Sequence, residues 1–289
     1  MIKSSELIIN ADGSIFHLHL KPEQISDNII LVGDPGRVKL IGELLTDIEF
    51  ITENREFVST TGKYNNKRIT IVSTGIGTDN IDIVVNELDA LANIDLKTRE
   101  VNPVHRQLNF IRIGTSGGLQ DYLDVNSLVI SRKAIGFDGL LNFYANRDSV
   151  SDLAFEEAFK KHTNWDKKLT SPYVINCSEY LLSKIHKEDT TTGVTISAPG
   201  FYGPQGRVLR LPLNDPDLNE KIESFSYEGN RITNFEMECS AIYGLSKLLG
   251  HEALTICLII ANRVKKDANA SYKNSMEQLI QIVLERLTT

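Results

Sequence analysis

Short apolar runs that end in glycine, each followed by polar or helically spaced positions, recur along the chain. Asn28-Ile29-Ile30-Leu31-Val32 reads as a strand entering the turn Gly33-Asp34-Pro35-Gly36. Arg37 then opens an amphipathic helix with Val38, Ile41 and Leu45 on one face. Lys67 to Ser73 is a second such strand; it enters Thr74-Gly75-Ile76-Gly77, after which Ile81, Val84, Val85, Leu88 and Leu91 follow at helical spacing. In the third, Ile111 to Gln120, an apolar strand carrying Arg112 runs into Gly114, Thr115, Ser116, Gly117 and Gly118, which read as a turn whose backbone N–H groups could cradle an anion.

Between these units, Ile15 to Leu20 alternates apolar and polar like a half-buried edge strand, with His17 and His19 on its polar face. Phe57 to Lys63 and Lys67 to Ser73 form a hairpin through Asn65-Asn66. Asn93 to Asn109 is polar and charged and reads as an inserted loop. Further strands are expected at Leu128 to Ile130, Thr192 to Ser197, Ile232 to Glu236 and Leu254 to Ala261. Helices are expected over Ser151 to Lys161, Ser178 to Lys187, Ser240 to Leu249 and the C-terminus, where Met276, Leu279, Ile280, Val283, Leu284 and Leu287 make the inner stripe. Asp215-Pro216 suggests an N-cap and first helical position, with Leu218, Ile222 and Phe225 buried behind it. No repeat or linker interrupts the alternation. It implies one α/β domain over residues 1–289 around a mixed sheet, with ligands at the carboxyl ends of its strands.

Composition narrows the function. A net charge of -7 argues against nucleic-acid and membrane-surface binding, so an anionic substrate must be met by local arginines. Cys177, Cys239 and Cys257 lie far apart and form no CxxC pair, which suits a reducing, cytoplasmic setting. No basic segment leads into an apolar one at the N-terminus, and no run reaches the roughly 18 apolar residues of a membrane span.

Two constellations then suggest chemistry. Phe201-Tyr202-Gly203-Pro204-Gln205-Gly206-Arg207 presents a ring, an amide and a guanidinium on one turn. Gln205 can donate and accept while Arg207 only donates, so the pair suits a planar base edge bearing carbonyl oxygens and an N–H. In Asn234-Phe235-Glu236-Met237-Glu238, strand alternation puts both acids on one side, where carboxylates accept hydrogen bonds from sugar hydroxyls. The pair sits closer than the roughly 6.5 to 9.5 Å of an inverting glycosidase. A nicotinamide enzyme is disfavoured too, because Gly75-Ile76-Gly77 lacks a third glycine and an acid about 20 residues later.

GDPGRV at 33–38, STGIG at 73–77, RIGTSGG at 112–118, FYGPQGR at 201–207 and NFEME at 234–238, in this order, resemble the nucleoside phosphorylases, within the uridine phosphorylase branch. The resemblance implies a three-layer α/β/α fold with a mixed, partly barrel-like sheet. It also implies a reaction in which inorganic phosphate, as co-substrate, cleaves uridine to uracil and ribose 1-phosphate without a cofactor. Gly33, Arg37, Arg112 and Thr115 match the family's phosphate positions. Arg55 matches an arginine, and His17 a ribose-binding histidine, that reach in from a neighbouring subunit, so at least a homodimer is implied, with a hexamer also open. Met237 and Glu238 match ribose contacts. Phe201, Gln205 and Arg207 match the base readers, with Gly117 and Arg263 beside them.

No metal is required, although some members hold a monovalent cation such as potassium where Glu56, Ile76 and Asn80 stand here. Asn80 occupies a position where some relatives use Ser. The insert at 93–109 has no counterpart in the compact family pattern and could cover the cleft or alter oligomer packing. A purine phosphorylase, a nucleosidase and a nucleoside-binding protein without catalysis are the alternatives. The purine branch places an aspartate near position 263, and none matches here.

Overall fold

The computed structural model describes all 289 residues. Its strands are β1 (Asn28–Val32), β2 (Thr46–Asn54), β3 (Phe57–Tyr64), β4 (Lys67–Ser73), β5 (Ile94–Asp95), β6 (Glu100–Val101), β7 (Asn109–Gly118), β8 (Leu128–Gly136), β9 (Tyr173–Asn176), β10 (Thr191–Ser197), β11 (Ser226–Tyr227), β12 (Asn230–Glu236), β13 (Glu252–Asn262) and β14 (Asp267–Ala268). Its helices are α1 (Pro35–Gly42), α2 (Thr78–Asn93), α3 (Leu153–Thr163), α4 (Glu179–Ile185), α5 (Leu218–Ser224), α6 (Cys239–Leu249) and α7 (Lys273–Thr288). No helix is long and apolar enough to cross a membrane.

One mixed sheet organises the chain. β7 pairs with β13, β13 with β8, β8 with β10, β10 with β12, and β12 returns to β7, closing a five-strand barrel-like ring. From β7 the sheet continues through β1, β4, β3 and β2. Ile29, Ile30, Leu31 and Val32 are fully buried, as expected of a parallel strand covered on both faces. α2 packs on α6, α6 lies against β8 and β13, and α1 covers β3 and β4. The expected inner stripe of α7 is buried throughout. A separate aromatic core of Phe137, Phe155, Phe159 and Phe225 lies beneath β10, β12 and α5.

Several elements depart from the sequence pattern. The glycine run after Arg112 is strand rather than turn. Gly114 pairs with Cys257, and Gly117 and Gly118 pair with β13 on one side and β12 on the other, while residues 113–116 pair with β13 alone and Gly114, Thr115 and Ser116 line the cleft on their other edge. The glycines clear space instead. A Cβ on Gly114 would stand 2.1 Å from Nη1 of Arg112, and one on Gly118 would stand 3.1 Å from Nδ2 of Asn262.

Ile15 to Leu20 is a turn that touches strand geometry only in an Ile9–Ile15 bridge. Ile15, Leu18 and Leu20 are buried together there, and His19 has φ +52, which ends any extended run. β2 escapes the apolar pattern because the strand is an antiparallel edge whose exposed face carries Asp47, Glu49 and Glu53.

The insert at 93–109 contains the β5–β6 hairpin and packs at the far end of the sheet, where Arg106 bonds Asp27 and the Ile25 carbonyl. It therefore leaves the carboxyl ends of the strands uncovered. Finally, α5 begins at Leu218, two residues later than Asp215-Pro216 suggests. The Asp215 carboxylate accepts from the Asp217 N–H at 3.1 Å and from Lys221 Nζ at 2.7 Å.

Candidate active site

A cleft of about 620 Å³ opens where β1, β4 and β12 end and β7 passes beneath. It brings together Gly33, Arg37, Ile76, Arg112, Thr115, Gly117, Phe201, Gln205, Arg207, Met237 and Glu238 from the expected set. The turn after β1 is fixed locally: Asp34 caps α1, accepting from the Gly36 N–H at 2.9 Å, and Pro35 supplies the helical φ at the first position. Arg37 is thereby held in the first turn of α1, where its Nη1 donates to the Ile113 carbonyl at 3.2 Å. Burial, and then the neighbouring Arg112, lower the Arg37 pKa below the ordinary arginine value. Two guanidiniums that repel each other across a cleft are relieved by an anion between them.

Arg112 is almost wholly buried and faces two acids. It donates to Glu238 and lies 3.3 Å from Glu236. Burial alone would lower its pKa, but Glu238 and then Glu236 raise it, so the guanidinium stays charged. Its Nε is buried without a protein partner. The acids differ in what they still offer. Glu236 accepts from Ser197 Oγ at 2.5 Å, from the Glu238 N–H at 2.9 Å and from the Cys239 N–H at 3.0 Å, so the protein occupies it. Burial pushes the Glu236 carboxyl above its ordinary value, Arg112 opposes this, and Glu238 adds to it. Glu238 keeps more of its acceptor capacity, with one backbone partner, the Gly77 N–H at 2.8 Å.

Sequence alternation placed the two acids side by side for a reason the structure changes. Glu236 ends β12, whereas Glu238 is the N-cap residue of α6. Glu236 thus anchors Arg112 and the start of α6, whereas Glu238, bonded to Arg112 and the Gly77 N–H, keeps spare acceptor capacity at the cleft. Cys257 lies behind Arg112, 3.5 Å from its Nη1, with a thiol that burial pushes up to about 12.

The other end of the cleft is made by the loop after β10. Arg207 lies over the Phe201 ring at 3.7 Å and donates to the Phe201 carbonyl at 2.6 Å and to Gln205 Oε1 at 2.7 Å. Arg263, at the end of β13, donates to the Gln205 carbonyl and, at 3.1 Å, to the same Gln205 Oε1. Burial lowers the pKa of both guanidiniums, that of Arg263 to about 10 with Arg207 contributing, and no acid compensates either. Gln205 itself is buried, whereas the Phe201 ring is half exposed over the cleft.

A family model described as the phosphorylase superfamily matches residues 27–288. The chain belongs to this superfamily. It is 29% identical to a uridine phosphorylase of Thermococcus kodakarensis over 91% of this chain and 83% of the relative. It is 25% identical to a purine nucleoside phosphorylase of Listeria welshimeri over 84% of this chain and 85% of that one. A solved Trypanosoma brucei nucleoside phosphorylase, described as showing uridine phosphorylase activity, superposes with a TM-score of 0.88 at 29% identity, covering 97% of this chain and 99% of the other.

In this phosphorylase chain, five of the expected residues do not line the cleft: His17, Arg55, Glu56, Asn80 and Arg263. His17 bonds Glu87 through Nδ1 at 2.6 Å, and Arg55 sits exposed at the tip of the β2–β3 hairpin with φ +55. Arg263 stands behind the cleft, bonded to Gln205. The side chains of Glu56 and Asn80 converge over Gly75, where a Cβ would meet them at 3.1 and 2.4 Å. That crowding and φ +69 explain the glycine. Sequence reasoning treated Glu236 as a sugar reader and missed its role as anchor. Its acceptor set comes from β10, β12 and α6, and only the fold brings these together.

Proposed function

We propose that this chain is a uridine phosphorylase, a pentosyltransferase that cleaves uridine with inorganic phosphate to uracil and ribose 1-phosphate in nucleoside salvage. The observation that carries the reading is that one cleft holds three different stabilisers in line. Arg37 and Arg112 stand at one end, Glu238 and Met237 lie next to them, and Phe201, Gln205 and Arg207 occupy the other end. Phosphorolysis needs this set. As the glycosidic bond lengthens, phosphate approaches one face of an electron-poor ribose while negative charge grows on the departing base. Arg37 and Arg112 hold the phosphate in attack position, Glu238 fixes the ribose through its hydroxyls, and the loop donors stabilise the base. The absence of an acid beside Arg263 supports a pyrimidine over a purine, because no proton donor waits for a leaving purine.

The same reading makes a homodimer the minimal active unit. Arg55 and His17, both outside their own chain's cleft, would complete the partner's phosphate and ribose sites. A potassium ion at Glu56, Ile76 and Asn80 would belong to that interface; nucleic acid and membrane would not be partners. A cytoplasmic setting is supported by three free, buried cysteines.

The test is uracil release from uridine with and without inorganic phosphate, with inosine as control. Release that requires phosphate and is confined to uridine is expected. Release without phosphate would make the protein a nucleosidase, and turnover of inosine alone would overturn the assignment of the 201–207 loop.

A further inference from the structure

A second cavity, of about 560 Å³, opens behind the loop after β10 and shares no lining residue with the active cleft. The loop lies between the two: Gly203 and Pro204 line this cavity, whereas Phe201, Gln205 and Arg207 line the cleft. A volume of this size suits a small organic ligand. Phe137, Trp165, Leu169 and Leu213 give it apolar walls. Trp165 is held in place, because its Nε1 donates to the Thr170 carbonyl at 3.0 Å and its ring centroid lies 4.6 Å from that of Phe137. It is also the chain's one tryptophan.

Three acids, Asp138, Asp166 and Asp215, line the same cavity, and two of them are already answered. Asp166 accepts from the Lys168 N–H and from Asn214 Nδ2, each at 2.9 Å, and Asp215 pairs with Lys221 Nζ at 2.7 Å. Lys168, the one cation on the lining, is exposed and lies beside Asp166. Asp138 has no cation. Its carboxylate accepts from the Leu140 N–H at 2.8 Å, from the Tyr173 hydroxyl at 2.9 Å and from Ser240 Oγ at 3.0 Å, all neutral donors. Burial raises its carboxyl above the ordinary value, and these hydrogen bonds oppose that only in part. An ionised acid beside apolar walls is stabilised by an ammonium group, and aromatic faces add to the attraction for a cation.

The geometry points to a second ligand site in this cavity, for a small aromatic amine whose rings lie against Trp165 and Pro204 and whose ammonium group meets Asp138. Because Gly203 and Pro204 belong to the loop that carries Gln205 and Arg207, the occupant of the cavity is coupled to the occupant of the cleft. The site goes beyond the uridine reading, and binding there does not depend on it.

The experiment titrates biphenylmethylamine into the protein at neutral pH while the emission of Trp165 is followed, with biphenylmethanol as the neutral isostere and biphenylacetate as an anionic relative. A saturable change is expected with the amine, at a midpoint about tenfold or more below that of the alcohol, and none with the carboxylate. No saturable change with the amine, equal midpoints for amine and alcohol, or a preference for the carboxylate would each overturn the site. Asp138→Asn keeps an acceptor for Tyr173 and is expected to bring the amine midpoint to that of the alcohol. Leu169→Arg, at a half-exposed position, places a cation in the cavity and is expected to abolish the response to the amine. An amine midpoint unmoved in Leu169→Arg would place the ligand elsewhere and overturn the site.

Saturating uridine is expected to shift the amine midpoint by about fivefold or more. An unchanged midpoint in a protein that releases uracil from uridine would overturn the coupling. No uracil release would overturn the uridine reading, while the amine titration still decides the site.

Discussion

The two ends of the cleft are built on opposite principles. At the phosphate and ribose end, Arg112 lies in the middle of a ten-residue strand, buried, with acids from β12 and the start of α6 pressed against it. At the base end, the readers sit on a loop, two guanidiniums have no acid between them, and the stacking ring is half exposed. Charges paired in the interior hold one geometry because every alternative leaves a charge unpaired. Unpaired donors on a loop wait for a ligand to supply the acceptors, and loops can vary without disturbing the core. On the proposed reading, the phosphate and ribose contacts sit on β7 and on the starts of α1 and α6, and the contacts that choose the base sit on the loop after β10.

The largest break in this contrast should come from Arg112→Ala, which strands two buried carboxylates. A loss of about 3–5 kcal/mol in unfolding free energy is expected, together with loss of phosphorolysis. Arg37→Ala, which has no acid partner, is expected to raise the KM for phosphate while moving the urea midpoint little. An equal loss of stability in both variants would remove the distinction between a structural and a free cation.

At the base end, Gln205→Ala or Arg207→Ala is expected to lower kcat by about 10²-fold with the fold intact, as when an oxyanion donor is lost. Retained turnover in both would mean that the loop does not stabilise the leaving base.

A smaller effect concerns pH. Glu236 is held above its ordinary value of 4.5 by burial, with Glu238 adding to this against Arg112. The folded carboxyl thus binds its proton more tightly than the unfolded one. That stabilisation is full below the unfolded value and is lost as pH rises through the folded one, at up to about 1.4 kcal/mol per pH unit. Urea midpoints should decline over this window in the parent and less in Glu236→Gln. The smallest change expected is a roughly fivefold rise in the uridine KM for Phe201→Ala at unchanged kcat, from loss of ring stacking.

Legibility followed the same division. Periodicity located β1, the β3–β4 hairpin, α2 and α7, because in each the buried positions are local and regular. The Asn65-Asn66 turn has φ +47 and +60, as its residues suggest. The pattern failed at β2, whose outward face is acidic, and at Ile15 to Leu20, where alternation in sequence folds into a turn around Glu87. It also failed at Gly114 to Gly118, where glycines next to an arginine look like a phosphate turn and are instead a strand thinned to admit that arginine. Small residues announce close approach, and sequence does not say of what.

The sequence by itself determined the strands and helices with regular apolar spacing. It also determined the residue types that phosphate, ribose and a pyrimidine require, since donors, acceptors and rings are properties of side chains. The tertiary structure decided which of them are free. Arg112 is committed to Glu236 and Glu238, the Gln205 carboxamide oxygen accepts from Arg263, 58 residues away, and the 93–109 insert is sent to the far end of the sheet. The physical reason is that a hydrogen-bonding group has a fixed number of partners, and only the fold determines which distant groups reach it first.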